Sequence, residues 1–366
     1  MSEDKMDNQV SRRSAWLGTL LLLSSAVLAE LPEERADLTY RYSQGDGQQL
    51  NAPGVALSKR FADRYALSFA YQQESVSGLP EDLLASASPT QEQRDATDFG
   101  IDYQFSNSMM SMTYSRSEEA DYEKNRFSLG VSHALAGDRT VSLAFSRGVD
   151  QILDLSNSDF EASAEHFTYK VGLSQLLRND LSLSFNFESL NDSGYLNNPY
   201  RRLQGINSGV ELYPDTRSSN VFAFGAKKLW SAQHSGHIDY RYSSDTWQVA
   251  AQSLELGYSS QFSRDWLLDL YYRHYSQDQA NFYQDSFAQN FNFMASDKLL
   301  SRYQSNTLGA KVSFDLTAPR QWGLDKGSFN LSYELMEFDY DDYSDLDGNA
   351  YRFGANSLQL YLSVWY

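Results

Sequence analysis

His234 and His237 stand three residues apart in His234-Ser235-Gly236-His237. Imidazoles at that spacing share a Zn²⁺ ion when they lie on one helix face, but this pair falls in a predicted turn and has no third ligand in reach. The densest carboxylate run is Asp339-Tyr340-Asp341-Asp342-Tyr343-Ser344-Asp345-Leu346-Asp347-Gly348. Oxygen ligands so close together suit Ca²⁺ or Mg²⁺. The EF-hand spacing fails, because Tyr343 stands at the first ligand position and Gly354 at the last. Asp341, Asp342, Asp345 and Asp347 are therefore a weak metal candidate. A solvated loop, or loose bridging of lipopolysaccharide phosphates by divalent cations, is the stronger reading. His133, His166 and His274 are scattered, and neither a Gly-x-Ser-x-Gly elbow nor a His followed closely by Ser-Asn-Gly occurs. No catalytic residue, cofactor or specific metal is expected.

The remaining chemistry is electrostatic and aromatic. Arg41, Arg126, Lys170, Lys227, Arg241, Arg273 and Lys311 fall on the polar face of predicted strands, as do Asp98, Asp102, Glu188, Asp239, Glu255, Asp269 and Glu334. Two roles fit this balanced set: a polar pathway whose charges steer solutes, or cross-strand ion pairs that stiffen a closed sheet. Segment 188–217 carries Arg201 and Arg202, able to clamp a carboxylate or phosphate or to pair with acids at the rim, the preferred reading. Segment 275–303 carries Phe282, Tyr283, Phe287, Phe291 and Phe293 at irregular spacing. Long aromatic loops are seldom disordered. These two either fold inward as a constriction, stand outward as a partner surface, or cap the rim.

The positioning elements follow from a pattern of period two. Leu38, Tyr40 and Tyr42 alternate with Thr39, Arg41 and Ser43; Tyr65, Leu67, Phe69 and Tyr71 alternate with Ala66, Ser68 and Ala70. Similar runs recur to the last residue, and with weaker segments near 54–59, 109–116, 220–227, 236–243 and 246–258 they predict sixteen strands, fourteen and eighteen being the alternatives. Short predicted connections alternate with longer ones near 73–94, 148–164, 188–217, 275–303 and 338–350. The fold class is thus all-β: a transmembrane antiparallel meander barrel with short periplasmic turns and long outer loops. A soluble sandwich would be over-supplied with apolar faces by sixteen such strands. Trp230, Trp266, Trp322 and Trp365 fall beside predicted short turns and Trp247 at an outer end, as an interfacial belt requires.

Composition agrees. The 366 residues include 48 acidic and 30 basic side chains, a net charge of −18, and no cysteine. Such acidity argues against nucleic-acid partners. Zero cysteine excludes disulfides and thiolate metal sites. At the N-terminus, Arg12 and Arg13 precede an apolar run from Ala15 to Leu23 and the small-residue stretch Ser24–Ala29. Residues 1–29 read as a cleaved secretory signal peptide and 30–366 as one barrel domain. At the other end Leu358, Leu360, Leu362, Val364 and Tyr366 alternate to a terminal aromatic, resembling the strand signal that barrel assembly machinery recognises.

Five motifs stand out: Gly194-Tyr195-Leu196-Asn197-Asn198-Pro199-Tyr200-Arg201, Tyr272-Arg273-His274-Tyr275-Ser276-Gln277, Ala280-Asn281-Phe282-Tyr283, Ser296-Asp297-Lys298 and the opening Asp37-Leu38-Thr39-Tyr40-Arg41-Tyr42. Together they resemble the proteobacterial family grouped as domain of unknown function 3570. The resemblance implies an uncharacterised outer-membrane barrel of a Gram-negative bacterium, over about residues 36–366, with no site residue to carry over. Family members are encoded beside periplasmic redox and flavin-attachment proteins. The expected function is a porin-like channel or partner-gated conduit, in contact with outer-membrane lipid, lipopolysaccharide and the barrel assembly machinery. A non-porous scaffold for a periplasmic or surface redox partner is the second reading, and an outer-membrane hydrolase the third.

Overall fold

The structure is a computed structural model that describes residues 30–78, 90–154, 157–197, 203, 209–316, 324–345 and 347–366. Sixteen strands close into one antiparallel barrel: β1 (Arg35–Gly45), β2 (Gln48–Phe61), β3 (Tyr65–Gly78), β4 (Thr90–Phe105), β5 (Ser108–Glu118), β6 (Tyr122–Leu135), β7 (Arg139–Asp154), β8 (Asn157–Arg178), β9 (Leu181–Gly194), β10 (Thr216–Leu229), β11 (His234–Asp245), β12 (Ala250–Gln261), β13 (Trp266–Gln277), β14 (Tyr303–Leu316), β15 (Lys326–Ser344) and β16 (Ala350–Trp365). Each strand pairs with its neighbours in sequence, and β1 pairs with β16 through Leu38↔Leu362 and Arg41↔Gln359. Closure leaves no sheet edge, so the backbone groups of every strand are satisfied within the sheet.

Alternation decides which way each side chain points. Leu67, Phe99, Met112, Leu129, Leu143, Tyr169, Phe224, Ile238, Leu256, Leu270, Leu308 and Leu331 all stand exposed on the outer surface. So continuous an apolar band would be untenable in water and is the surface a barrel presents to lipid. The intervening residues, among them Arg41, Ser305, Thr307, Ser357 and Ser363, are buried on the inner side. Where bulky inner side chains meet, glycine makes room: a Cβ on Gly309 would lie 2.1 Å from the Tyr271 ring.

The turns 62–64, 106–107, 136–138, 179–180, 230–233 and 262–265 gather at one end. At the other lie the described residues of 195–215 and the segment 278–302, and among these described residues the one regular element is the 3₁₀ turn Lys298–Leu300. Asp46 and Gly47 both have positive φ, 54° and 75°, in the two-residue β1–β2 hairpin, the conformation that Asp-Gly favours.

Two expected loops are largely strand. In place of a long 148–164 connection, β7 runs to Asp154 and β8 starts at Asn157. In place of 338–350, β15 continues to Ser344 with a register shift between Asp339 and Ser344. Above the lipid band nothing requires apolar alternation, so the sequence signal stops, yet the backbone ladder continues. Polar cross-strand pairs line it, as Arg147 and Glu165 do at 2.5 Å.

Candidate functional site

Strand register brings the inner-wall charges into ion pairs. Arg41 on β1 reaches Glu74 on β3 at 2.8 Å, and Arg94 on β4 bonds the second oxygen of the same carboxylate. Lys170 lies 3.4 Å from Glu188, and Lys311 lies 3.8 Å from Asp269. The Glu255 carboxylate accepts from Arg273 at 2.5 Å and stands 3.1 Å from His237. Glu334 accepts the Tyr271 hydroxyl. Asp98, Asp102, Arg126, Lys227, Asp239 and Arg241 also sit on the inner register of their strands, opposite Ser115, Ser111, Gly148, Ser182, Glu255 and Ser253 across the sheet. Pairing does not fill the interior, because inward-facing Lys170 keeps half its side-chain surface.

Several inner groups escape sequence inspection. Glu74, Arg94, Lys124 and Asp150 lie beyond the apolar runs, yet continuing the same alternation upward finds them. Asp150 gathers Tyr122, Lys124 and His166, and His166 also bonds Asp192 at 2.7 Å.

The mouth on the long-loop side is built from aromatics. Tyr275, Tyr303, Phe338, Tyr340, Tyr351 and Phe353 line the inner wall there. Segment 278–302 packs against them through Ala280, Phe282, Tyr283, Ala295 and Leu300. Tyr283 donates to the Asp342 carbonyl at 3.0 Å. Burial, reinforced by the charges of Asp285 and Asp342, pushes its phenol well above the ordinary range. Segment 195–215 locks onto the same loop. Leu212 bridges Met294, and buried Glu211 accepts the Ser296 N–H at 2.7 Å and the Tyr213 hydroxyl. Phe287 packs with Leu203 and Met294, whereas Phe291 and Phe293 remain 43% and 47% exposed. Only part of the aromatic set is therefore buried. Lys298 pairs with Asp46 of the β1–β2 hairpin, both side chains fully enclosed.

Trp230 and Trp266 are exposed near the short turns, stacked on Tyr258 and packed on Phe314. Trp247 departs from the expected interface belt. It is 4% exposed, packs edge-on to Tyr213 and Phe282, and donates to the Thr216 carbonyl at 2.9 Å. The four-residue β11–β12 connection turns it toward the loops rather than toward lipid. Trp365 alternates off the lipid-facing face carrying Leu358, Leu360, Leu362 and Val364, and stands between Arg35 and Lys326. Tyr366 donates to the Ser58 carbonyl at 3.1 Å. Trp322, Arg201, Arg202 and the segment 1–29 lie outside the described residues.

The carboxylates of the run 339–347 sit on the β15–β16 hairpin. Asp342 accepts the Arg302 N–H at 2.7 Å, and Asp345 accepts those of Asp347 and Asn349 at 2.9 and 2.8 Å. The two close histidines part company across the sheet: His234 bonds Tyr258 at 2.9 Å on the outer face, and His237 turns inward. Asp239 and Glu255 stand beside His237, the one three-ligand group found among the described residues. Strand pairing supplies the third ligand that the linear spacing lacks.

A closed sixteen-stranded meander with a lipid-facing apolar band and a polar interior defines a barrel of the outer-membrane type. The family model described as "Protein of unknown function (DUF3570)" matches residues 158–338, which contain four of the five motifs, Asp37–Tyr42 lying outside the match. No curated protein matches the sequence. Among solved structures, a bacterial polysaccharide outer membrane secretin is 8% identical with a TM-score of 0.52, over 92% of this chain and 98% of that one. A BenF-like porin from Pseudomonas fluorescens Pf-5 is 9% identical with a TM-score of 0.46, over 91% and 98%. The siderophore receptor PirA from Acinetobacter baumannii is 9% identical with a TM-score of 0.45, over 89% of this chain but 57% of that one. At such identities the likeness is one of fold alone.

Proposed function

We propose that the protein is a channel of the Gram-negative outer membrane whose outer mouth is narrowed by the docked segment 278–302. Sixteen strands enclose a lumen wide enough for an aqueous path. The observation that carries this reading is the packing of that segment on the inner aromatic wall, above a lumen whose paired charges of both signs still meet solvent. Balanced charge favours weak ion selectivity and a path for polar solutes. Single-channel recording in planar bilayers tests it. Removing residues 280–295 should raise conductance several-fold in a correctly folded barrel; unchanged conductance overturns the constriction.

The second reading, a non-porous scaffold for a periplasmic or surface partner, draws on the enclosure of Lys298 and Asp46 and on the exposed Phe291 and Phe293 at the mouth. Absence of conductance from both forms, with co-purification of a partner, would favour it.

A further inference from the structure

We propose that His237, Asp239 and Glu255 form a binding site for a divalent transition-metal cation of the Zn²⁺ class on the inner wall of the barrel. His237 and Asp239 are two apart on β11, so both face inward, and Glu255 sits directly across from Asp239 on β12. The His237 Nε2 atom lies 3.1 Å from Glu255 Oε1 and 3.8 Å from Asp239 Oδ2, with all three ligand atoms within 4.8 Å of one another. Four-coordinate zinc with bonds of about 2.0–2.1 Å places its ligand atoms roughly 3.3 Å apart, so the three donors need only small movements to share one ion.

Two glycines clear the ground for this cluster. A Cβ on Gly257 would lie 1.9 Å from the His237 ring, and a Cβ on Gly225 would lie 2.7 Å from Asp239 Oδ1. Any side chain at Gly257 would displace the imidazole from Glu255. Arg273 binds Glu255 through Oε2 and leaves Oε1 for the ion, orienting the carboxylate from outside as metal-ligand partners commonly do. His237 and Asp239 keep 28% and 35% of their side-chain surface, so a cation can enter from the lumen and a water can complete the coordination. Lys227, opposite His237 on β10, and Arg273 oppose a second positive charge. They make this a reversible station on the wall rather than a closed structural centre. The site stands whether or not the lumen conducts.

The test uses the full chain, without a histidine tag, folded in detergent and titrated with ZnCl₂ and with CoCl₂ in excess Mg²⁺, which occupies acidic loops. One equivalent should bind, and Co²⁺ should show the visible bands of four-coordinate geometry. His237→Ala and Asp239→Asn should each weaken binding at least tenfold. His234→Ala should leave it unchanged, since that ring is engaged on the outer face. Heat-modifiable migration reports folding of each variant; if His237→Ala does not fold, Asp239→Asn carries the comparison. No stoichiometric binding to the wild type overturns the site, as does wild-type affinity in either ligand variant or an equal loss in His234→Ala.

Discussion

Lys298 and Asp46, 252 residues apart in the chain, form an ion pair with no exposed surface. The ammonium also lies 5.0 Å from the Tyr351 ring centre, and Tyr351 donates to the same carboxylate. This latch ties segment 278–302 to the β1–β2 hairpin at the mouth. Removing one partner strands a buried charge, at a cost of about 3–5 kcal/mol. Lys298→Met should therefore expose segment 278–302 to limited proteolysis while the barrel stays folded. Adding Asp46→Asn should restore part of the protection. Equal cleavage of wild type and Lys298→Met would show that the latch does not hold the loop.

Met112 and Thr113 test the two faces of one strand. Met112 is 44% exposed on the outer surface, whereas Thr113 faces inward beside Gly100. Met112→Arg should cost about 2–4 kcal/mol in bilayer stability, as a cation near the midplane does, and Thr113→Arg much less. Urea unfolding in lipid vesicles measures both. Equal losses would contradict the register.

Trp247 anchors the other side of the cap. Trp247→Ala removes the edge contacts to Tyr213 and Phe282 and the bond to the Thr216 carbonyl. A large buried aromatic lost from a packed cluster costs about 3–5 kcal/mol. Chymotryptic cleavage near Phe291 and Phe293 should accelerate in this variant and not in Trp230→Ala, whose ring lies exposed at the opposite end.

Acid should loosen the β15–β16 hairpin. The backbone N–H of Asn349, with the Asn349 side chain and further N–H groups from Asp347 and Gly348, holds the Asp345 carboxyl below the usual aspartate range. A depressed folded-state value contributes order that is present above the unfolded value and fades as pH falls through the folded one. Amide exchange at Asn349, corrected for its intrinsic pH dependence, should rise on acidification. Asp345→Ala should show fast exchange at every pH.

Alternation of Tyr65, Leu67 and Phe69 with Ala66 and Ser68 was enough to read strand, face and membrane setting, because lipid on one side and water on the other impose period two on each strand locally. The same parity, carried past the apolar runs, reaches Glu74 and Asp150. It ends at the loops. That Lys298 meets Asp46 and that Trp247 turns toward Phe282 depend on barrel closure and on the path of segment 278–302, and that His237 leaves His234 for Glu255 depends on the β11–β12 register. Those contacts join residues distant in the chain through cross-strand register and side-chain packing, which no local periodicity encodes. The sequence by itself therefore determined the barrel and its two faces, and only the tertiary structure decided what the inner wall and the mouth bring together.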